Sequence, residues 1–180
     1  FFGDESKSKI ISKIIEKERK NKNLNTKDLV DIINRVKKRQ GKKIHNATKS
    51  FQALRIFVNE EISELIYGLI NSFKILPIGG VMAVVSFHSI EDKIVKYFFK
   101  YYSEKNKTSR YLPMSSEKKI LFNLSNKKPI VASKSEIKLN PPSRSAKLRS
   151  VVKINETENF DDFLKKFSYL LDIERLREQI

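Results

Sequence analysis

The amino-acid sequence predicts an α/β fold built around a helix–strand–helix unit. Residues 81–87 form a short apolar run after Gly79 and Gly80, as expected of a central strand with both faces covered. Apolar residues recur at helical spacing before this run, over residues 51–73, and after it, over residues 94–102. Helices on either side of an apolar strand are typical of a doubly wound sheet.

Two short helices are predicted ahead of this unit. Residues 4–21 carry isoleucines at helical spacing, with acidic residues first and basic residues last, which suits the helix dipole. A second helix is expected to begin with Thr26 as its N-cap and to run to Val36. A basic loop then covers residues 37–43. Neither helix is long enough to be stable alone, so both are expected to pack on other structure.

The helix before the strand has the clearest periodic pattern in the chain. Its apolar residues step by three or four for more than five turns, which predicts one continuous amphipathic helix that ends before Pro77. After the strand, Ser89 to Asp92 resembles a capping box, which predicts that the next helix begins there. The apolar stripe of the first helix comprises Phe51, Leu54, Val58, Ile62, Leu65, Leu69 and Phe73.

The remainder of the chain is less regular. Residues 104–147 are predicted to form a long basic loop, with room for one strand, because their apolar patches are short and lie among Lys, Ser and Asn. Residues 148–154 alternate weakly and predict a final strand. Residues 160–171 show helical spacing of Phe and Leu, which predicts a C-terminal amphipathic helix with an acidic start.

Composition restricts the class of protein. The 180 residues include no Cys, which excludes disulfides, zinc-thiolate sites and cysteine nucleophiles. No apolar run approaches the roughly 20 residues that a membrane span requires, so we expect a cytoplasmic protein with no membrane partner. Because the sequence begins at Phe1 and not at Met, we also expect an N-terminal truncation.

The net charge of +16 is unevenly distributed. Residues 1–48 carry a net charge of +8 and residues 104–153 carry +10, whereas residues 49–103 carry +1 and residues 154–180 carry −3. A nearly neutral centre flanked by basic segments predicts a polyanionic partner, with nucleic acid first. The alternative is a solvated basic surface: AT-rich coding would explain the preference for Lys over Arg, although not the excess of cations.

The candidate chemistry lies where the apolar strand ends. Side chains alternate along a strand, so Ser86 and His88 are expected to share one face with Phe87 opposite. His88 could orient a base or a phosphate, or transfer a proton near neutral pH. The alternative is that His88 only caps the strand end with a hydrogen bond. Helix capping alone accounts for Ser89 and Asp92, and the helix dipole already accounts for Glu91.

Several other chemistries are disfavoured by the motifs. One Ser and one His in close succession cannot form a triad, and the nucleophile elbow Gly-x-Ser-x-Gly is absent. With only His45 and His88 and no Cys, no metal site is expected. Gly79 and Gly80 precede a strand and not a helix, which is the wrong order for a phosphate-binding loop.

Three segments of the chain form a distinctive set. They are His-Asn-Ala-Thr-Lys-Ser-Phe-Gln-Ala-Leu-Arg-Ile at residues 45–56, Ser-Phe-His-Ser-Ile-Glu-Asp at the start of residues 86–99, and Asn-Pro-Pro-Ser-Arg-Ser-Ala-Lys-Leu-Arg at residues 140–149. Together they resemble the MraW/RsmH family of bacterial small-subunit ribosomal RNA (cytosine-N4-)methyltransferases. Residues 3–5 and 26–29 resemble the helical insert of that family. The chain departs from the family pattern at Asn46, Lys49, Lys93 and Pro142, and Lys in place of Arg loses the bidentate fork that binds phosphate.

The resemblance implies the C-terminal half of a Rossmann-like class I methyltransferase domain plus the end of a helical insert subdomain. Residues 1–45 would end the substrate-recognition insert, residues 46–154 would complete the methyltransferase domain, and residues 155–180 would form a C-terminal helix. The implied cofactor is S-adenosyl-methionine, and its glycine-rich loop and acidic ribose ligand are expected upstream of Phe1. The fragment alone would then be inactive.

The resemblance also implies a substrate and a set of site residues. The partner would be small-subunit ribosomal RNA or the assembled small ribosomal subunit, and a homodimer is left open. Ser86 and His88 would be the catalytic candidates beside the target base. The alternatives are a non-catalytic basic RNA-binding or ribosome-assembly module and, less favoured, a hydrolase that uses His88. Arg55 could instead pair with a carboxylate. The RNA-contact candidates are Lys49, Arg55, Arg144, Lys147 and Arg149.

Overall fold

The computed structural model describes residues 2–37, 45–104 and 119–179. This part of the chain holds seven α-helices and four short β-strands, which confirms the mixed α/β class. It divides into two compact units, one formed by Phe1–Glu61 with Asp172–Ile180 and the other by Ile62–Leu171.

The first unit begins with the two predicted helices, α1 (Ser8–Glu18) and α2 (Thr26–Val36). The N-cap of α2 is Asn25 and not Thr26, so the predicted start was wrong by one residue. The Asn25 side chain accepts a hydrogen bond from the N–H of Asp28, and the Asp28 carboxylate accepts one from the N–H of Asn25. This reciprocal box satisfies two backbone donors at the helix start. Most of the predicted basic loop, residues 38–43, lies outside the described residues.

A small apolar core holds the first unit together. Its fully buried members are Ile11, Ile32, Ile33 and Ala47. Gly3 packs so closely on the chain that an added Cβ would lie 2.3 Å from the carbonyl oxygen of Lys49, so no larger residue fits there.

The predicted continuous helix over residues 51–73 is wrong, because the chain forms two helices. They are α3 (Thr48–Asn59) and α4 (Glu61–Ile75), separated by Glu60 in the left-handed conformation with φ of 52°. The one-residue break leaves the three-and-four spacing of apolar residues almost intact, so periodicity alone could not reveal it. Two residues of the predicted stripe, Leu54 and Val58, are 46% and 56% exposed and do not belong to the core of the described chain.

The second unit contains an antiparallel sheet of four strands. They are β1 (Val81–Ser86), β2 (Phe122–Leu124), β3 (Ile130–Val131) and β4 (Lys147–Lys153). Strand β4 is central and pairs antiparallel with each of the others. The predicted strands at residues 81–87 and 148–154 are therefore confirmed, with bounds shifted by one residue.

Strand β1 is covered on one face only within the described chain. Met82 and Ser86 are buried, whereas Val81 and Val85 are 60% and 52% exposed. Among the described strands, β1 pairs with β4 alone, so it lies at the edge of this sheet and not at its centre. The prediction of a central strand with both faces covered is therefore wrong for the described chain. The strand nevertheless carries apolar residues on both faces, as a central strand does.

Aromatic side chains dominate the core of the second unit. Helices α5 (Ser89–Tyr101) and α7 (Asp161–Arg175) supply most of them, and both helices were predicted. Phe98 is fully buried and its ring lies 4.7 Å from that of Phe163 and 5.6 Å from that of Phe122. The ring contacts of this cluster hold α5 in position, and therefore also the end of β1, which directly precedes the helix.

One lysine is fully buried at the end of β4. The Nζ of Lys153 donates hydrogen bonds to the carbonyl oxygens of Phe73 and Leu76, at 2.8 and 2.6 Å, and pairs with Glu156 at 2.7 Å. Phe73 lies in the last turn of α4 and Leu76 directly follows the helix, where carbonyl acceptors are left unpaired by the helix itself. Lys153 therefore joins α4 to the central strand.

The prediction of a long basic loop over residues 104–147 is wrong where the chain is described. Residues 119–147 contain β2, β3, helix α6 (Lys134–Leu139) and a 3₁₀ helix over Pro141–Ser145. These elements are short, and α6 buries no residue, so they leave no apolar periodicity in the sequence. Residues 105–118 lie outside the described chain.

Candidate functional site

The candidate site lies at the carboxyl end of β1, where Phe87 and His88 alone connect the strand to α5. Ser86 is 3% exposed, and its hydroxyl donates a long hydrogen bond of 3.4 Å to the carbonyl oxygen of Lys147 on β4. The Phe87 side chain is 56% exposed on the other face. The alternation predicted for this segment is therefore present, but the Ser86 hydroxyl is used within the sheet.

His88 is the N-cap of α5. Its Nδ1 accepts a hydrogen bond of 3.4 Å from the N–H of Glu91, and Glu91 Oε2 accepts bonds from the N–H groups of Phe87 and His88 at 2.8 and 3.3 Å. Because Nδ1 acts as an acceptor, the proton of the neutral ring lies on Nε2. The sequence placed this capping box at Ser89, which is wrong by one residue.

Among the described residues, the other ring nitrogen of His88 has no aligned hydrogen-bond partner. Nε2 lies 3.0 Å from Oε1 of Glu91, but the approach is not that of a hydrogen bond, and Nε2 is buried. Burial opposes ionisation of Glu91, yet the His88 ring and the two backbone N–H groups lower the pKa of its carboxyl overall. An unsatisfied buried donor in a short turn is a feature that requires an explanation.

Asp92 ties α5 to β4. Its carboxylate accepts hydrogen bonds from Nζ of Lys147 at 2.9 Å and from Nε of Arg149 at 2.8 Å. The Arg149 side chain is only 12% exposed. The interpretation that helix capping alone accounts for Asp92 was therefore wrong. Burial raises the pKa of the Asp92 carboxyl, but the positive charges and hydrogen bonds of Arg149 and Lys147 outweigh it and hold this pKa below its ordinary value of 3.8.

We expect Asp92→Asn to lower the free energy of unfolding by about 1–3 kcal/mol at pH 7, because it leaves the partly buried Arg149 without a countercharge. The pKa of Asp92 is lower in the folded state, so its pairs stabilise the fold above its ordinary pKa and are lost as pH falls below it. Urea unfolding between pH 7 and pH 2.5 measures this, and the variant should lose less stability on acidification than the wild type.

Asp172→Asn is the matched control for this prediction. Asp172 pairs with Arg175 at 3.5 Å, but both side chains are about two-thirds exposed, so the substitution should change stability by less than about 0.5 kcal/mol. Equal effects of the two substitutions would contradict the role assigned to Asp92.

The structure distributes the five RNA-contact candidates over both units. In the first unit, Lys49 donates to the carbonyl oxygen of Asp4 at 2.9 Å. Arg55 forms a bidentate pair with Glu61 at 2.7 and 3.0 Å, which is the carboxylate pairing raised as the alternative. In the second unit, Lys147 and Arg149 meet at Asp92, and Arg144 is exposed in the 3₁₀ helix.

The residues described here do not by themselves fit S-adenosyl-methionine. A nucleoside cofactor of an α/β domain sits against a glycine-rich turn from strand to helix, where the backbone can approach it. The β1–α5 turn is Phe87-His88 and contains no glycine, while Gly79, with φ of 85°, precedes β1.

No helix within the described ranges is long and apolar enough to cross a membrane.

The fold and the site together define an α/β protein with its candidate site at the carboxyl end of an apolar strand. Comparison with known proteins identifies its family: residues 1–154 match the model of the MraW methylase family. The chain belongs to this family.

Relatives of this chain carry the name ribosomal RNA small subunit methyltransferase H. The one from Agrobacterium fabrum is 44% identical over 91% of this chain and 48% of its own length. Those from Nitrobacter hamburgensis and Rhizobium leguminosarum are 40% and 45% identical, over 89% and 83% of this chain and 49% and 45% of their own lengths. The chain thus spans about half the length of the curated relatives it matches.

Proposed function

We propose that this chain is part of an S-adenosyl-methionine-dependent methyltransferase that acts on the exocyclic amine (N4) of a cytosine in small-subunit ribosomal RNA. The observation that carries the proposal is membership of the MraW methylase family, with relatives named for ribosomal RNA small subunit methylation. The net charge of +16 supports an RNA substrate, because phosphate neutralisation dominates affinity for nucleic acid.

The proposed fold is the second half of a Rossmann-like methyltransferase domain over residues 46–154. Residues 1–45 would end a substrate-recognition insert and residues 155–180 would form the C-terminal helix. Strands β1 and β2 both run antiparallel to β4 and hence parallel to each other, and α5 lies between them in the chain. A helix that connects two parallel strands supports this proposal, although the antiparallel β4 lies between the two strands. The exposed apolar face and edge of β1 are what a further part of such a sheet would cover.

S-adenosyl-methionine, when bound, supplies the methyl group, and we propose that residues outside this sequence provide most of its contacts. The β1–α5 turn offers no glycine cradle, and the relatives are about twice as long as the chain. Calorimetric titration of the 180-residue chain with S-adenosyl-methionine is expected to show no tight binding. Binding as tight as that of the full-length protein would contradict this assignment.

The described residues are proposed to position the target base. Methylation of an amine requires that its nitrogen be held in line with the methyl donor and that the proton it loses pass to an acceptor, here solvent water. The turn at Phe87 is fixed by the cap of His88 and Glu91 and by the anchoring of Asp92 to β4. Ser86 would hold the end of the strand in place. The Nε2–H of His88, which has no aligned partner among the described residues, is assigned as a hydrogen-bond donor to an acceptor atom of the base.

The RNA must present an unpaired cytosine, because pairing in a duplex engages the N4 amine. Lys49, Arg55, Arg144, Lys147 and Arg149 remain the proposed contacts to its phosphates.

The experiment is a transfer assay with the full-length protein, labelled S-adenosyl-methionine and small-subunit ribosomal RNA that lacks the modification. We expect label in the RNA, released with the cytidine fraction after digestion. RNA binding without any transfer would contradict the proposal and favour the non-catalytic RNA-binding or ribosome-assembly module.

A further inference from the structure

A basic cleft lies along α5, on the side of the helix that faces β2 and β4. Its volume is about 250 Å³, and its lining includes Lys96 and Lys100 of α5, Lys127 after β2, Arg149 of β4 and Glu104. We call this feature the α5 cleft. None of its three lysines belongs to the residues assigned above to the base or to RNA.

The two α5 lysines of the α5 cleft, Lys96 and Lys100, contribute little to the fold. Lys96 and Lys100 are exposed and lie four residues apart on α5, on the side of the helix opposite the buried Phe98. Like charges at this spacing repel each other and destabilise a helix slightly. Glu104 lies 3.8 Å from Lys100, but both side chains are more than half exposed, so this pair contributes little.

Charge in the α5 cleft favours an anion. The three lysines face one glutamate, and the charge of Arg149 is balanced by Asp92 outside the cleft. The Nε of Arg149 is held by Asp92 at 2.8 Å, so its guanidinium is fixed in orientation, and a guanidinium has four further N–H donors. Lysine ammonium groups next to an oriented guanidinium can donate charge-assisted hydrogen bonds to the oxygens of a phosphate.

A second hollow flanks the same lysines on their other side. Its volume is about 390 Å³, and Tyr97 and Tyr101 line it together with Lys93, Lys96 and Lys100. The two tyrosine rings stack at a centroid distance of 5.4 Å with 13° between their planes. Proteins that bind single-stranded nucleic acid combine cationic side chains along the sugar-phosphate backbone with aromatic rings on which the bases stack.

We propose that the α5 cleft binds the phosphodiester backbone of single-stranded RNA, with Lys96, Lys100 and Lys127 as its phosphate contacts. The inference rests on the proposed function only in taking ribosomal RNA as the ligand. It adds a backbone subsite formed by α5 to the base site at His88, and therefore predicts that the RNA runs along α5.

The test is the double variant Lys96→Gln/Lys100→Gln in the full-length protein. Affinity for a fluorescein-labelled single-stranded RNA oligonucleotide is measured by anisotropy between 50 and 200 mM salt. We expect affinity to fall about tenfold at the lower salt, and the slope of log K against log salt to decrease by about 1.4, since each single-strand phosphate contact contributes about 0.7.

The matched control is Lys134→Gln/Lys138→Gln on α6, which removes two exposed lysines at the same spacing away from the α5 cleft. We expect its affinity and salt slope to stay close to those of the wild type. Equal losses in both double variants, or no loss in the α5 variant, would overturn the proposal. Polyglutamate should compete far less well than RNA at equal charge, and equal competition would overturn recognition of phosphodiesters.

Failure of this inference can be separated from failure of the proposed function. Methyl transfer by the wild type, with RNA affinity unchanged in the α5 variant, would reject the α5 cleft and retain the methyltransferase. Loss of RNA affinity in the α5 variant, without any methyl transfer by the wild type, would retain the α5 cleft as an RNA-binding site and reject the methyltransferase. If both proposals hold, the α5 variant raises KM for RNA and changes kcat little.

Discussion

Replacing His88 with alanine in the full-length protein is expected to lower kcat for methyl transfer about 10²-fold, as loss of one oriented donor at a reacting centre does. The affinity for S-adenosyl-methionine should remain within twofold of the wild type. The reason is that the Nε2–H of His88 has no aligned partner in the turn, whereas we assign the cofactor contacts elsewhere. Single-turnover kinetics measures the first quantity and calorimetry the second.

The variant His88→Asn separates the base contact from helix capping. Asparagine is a favourable N-cap residue, so its side-chain oxygen can replace Nδ1 as acceptor for the N–H of Glu91, but it has no counterpart of Nε2. We expect His88→Asn to recover the stability lost in His88→Ala while kcat stays at least tenfold below the wild type. A wild-type kcat in His88→Asn would show that His88 acts only as a helix cap and makes no contact with the base that matters for the reaction.

Phe98→Ala is expected to lower the free energy of unfolding by about 3–5 kcal/mol, the usual cost of removing a buried phenyl ring. Phe98 is fully buried and makes ring contacts with Phe99, Tyr102, Phe122, Phe160 and Phe163. Because these contacts fix α5, the loss should also weaken the turn that precedes the helix. Urea unfolding followed by circular dichroism measures the change.

Two further variants keep this prediction testable if Phe98→Ala does not fold. Phe98→Leu keeps most of the apolar volume and should cost less than Phe98→Ala. Leu139→Ala removes an apolar side chain that is 89% exposed on α6, so it should change stability by less than about 0.5 kcal/mol. A cost for Phe98→Leu no larger than that for Leu139→Ala would contradict the assignment of Phe98 to the core.

The sequence predicted the second unit well where local pattern and packing agree. Strand β1, helix α5 and strand β4 were all predicted, because each joins a run of apolar residues to a clear boundary. The break at Glu60 was not predicted, because a single residue in the left-handed conformation barely shifts the helical spacing. Strand β3 and helix α6 bury little or nothing, so no apolar pattern marks them.

The candidate site was predicted only in part. The faces of Ser86 and His88 follow from strand alternation. The capping box was missed because the expected cap was Ser89, although the spacing of His88 and Glu91 meets the same rule when a histidine nitrogen serves as acceptor. The pairs of Asp92 with Lys147 and Arg149 join residues more than 50 positions apart through the register of β1 and β4. No local pattern carries that information.

The most direct test of the proposed activity is nucleoside mass spectrometry of small-subunit ribosomal RNA after reaction with the full-length protein and S-adenosyl-methionine. We predict one added methyl group on the N4 amine of a cytosine with the wild type, and strongly reduced modification with His88→Ala. Absence of methylation, or a methyl group on a ring carbon or on the ribose, would contradict the proposal that this chain helps to present a cytosine amine.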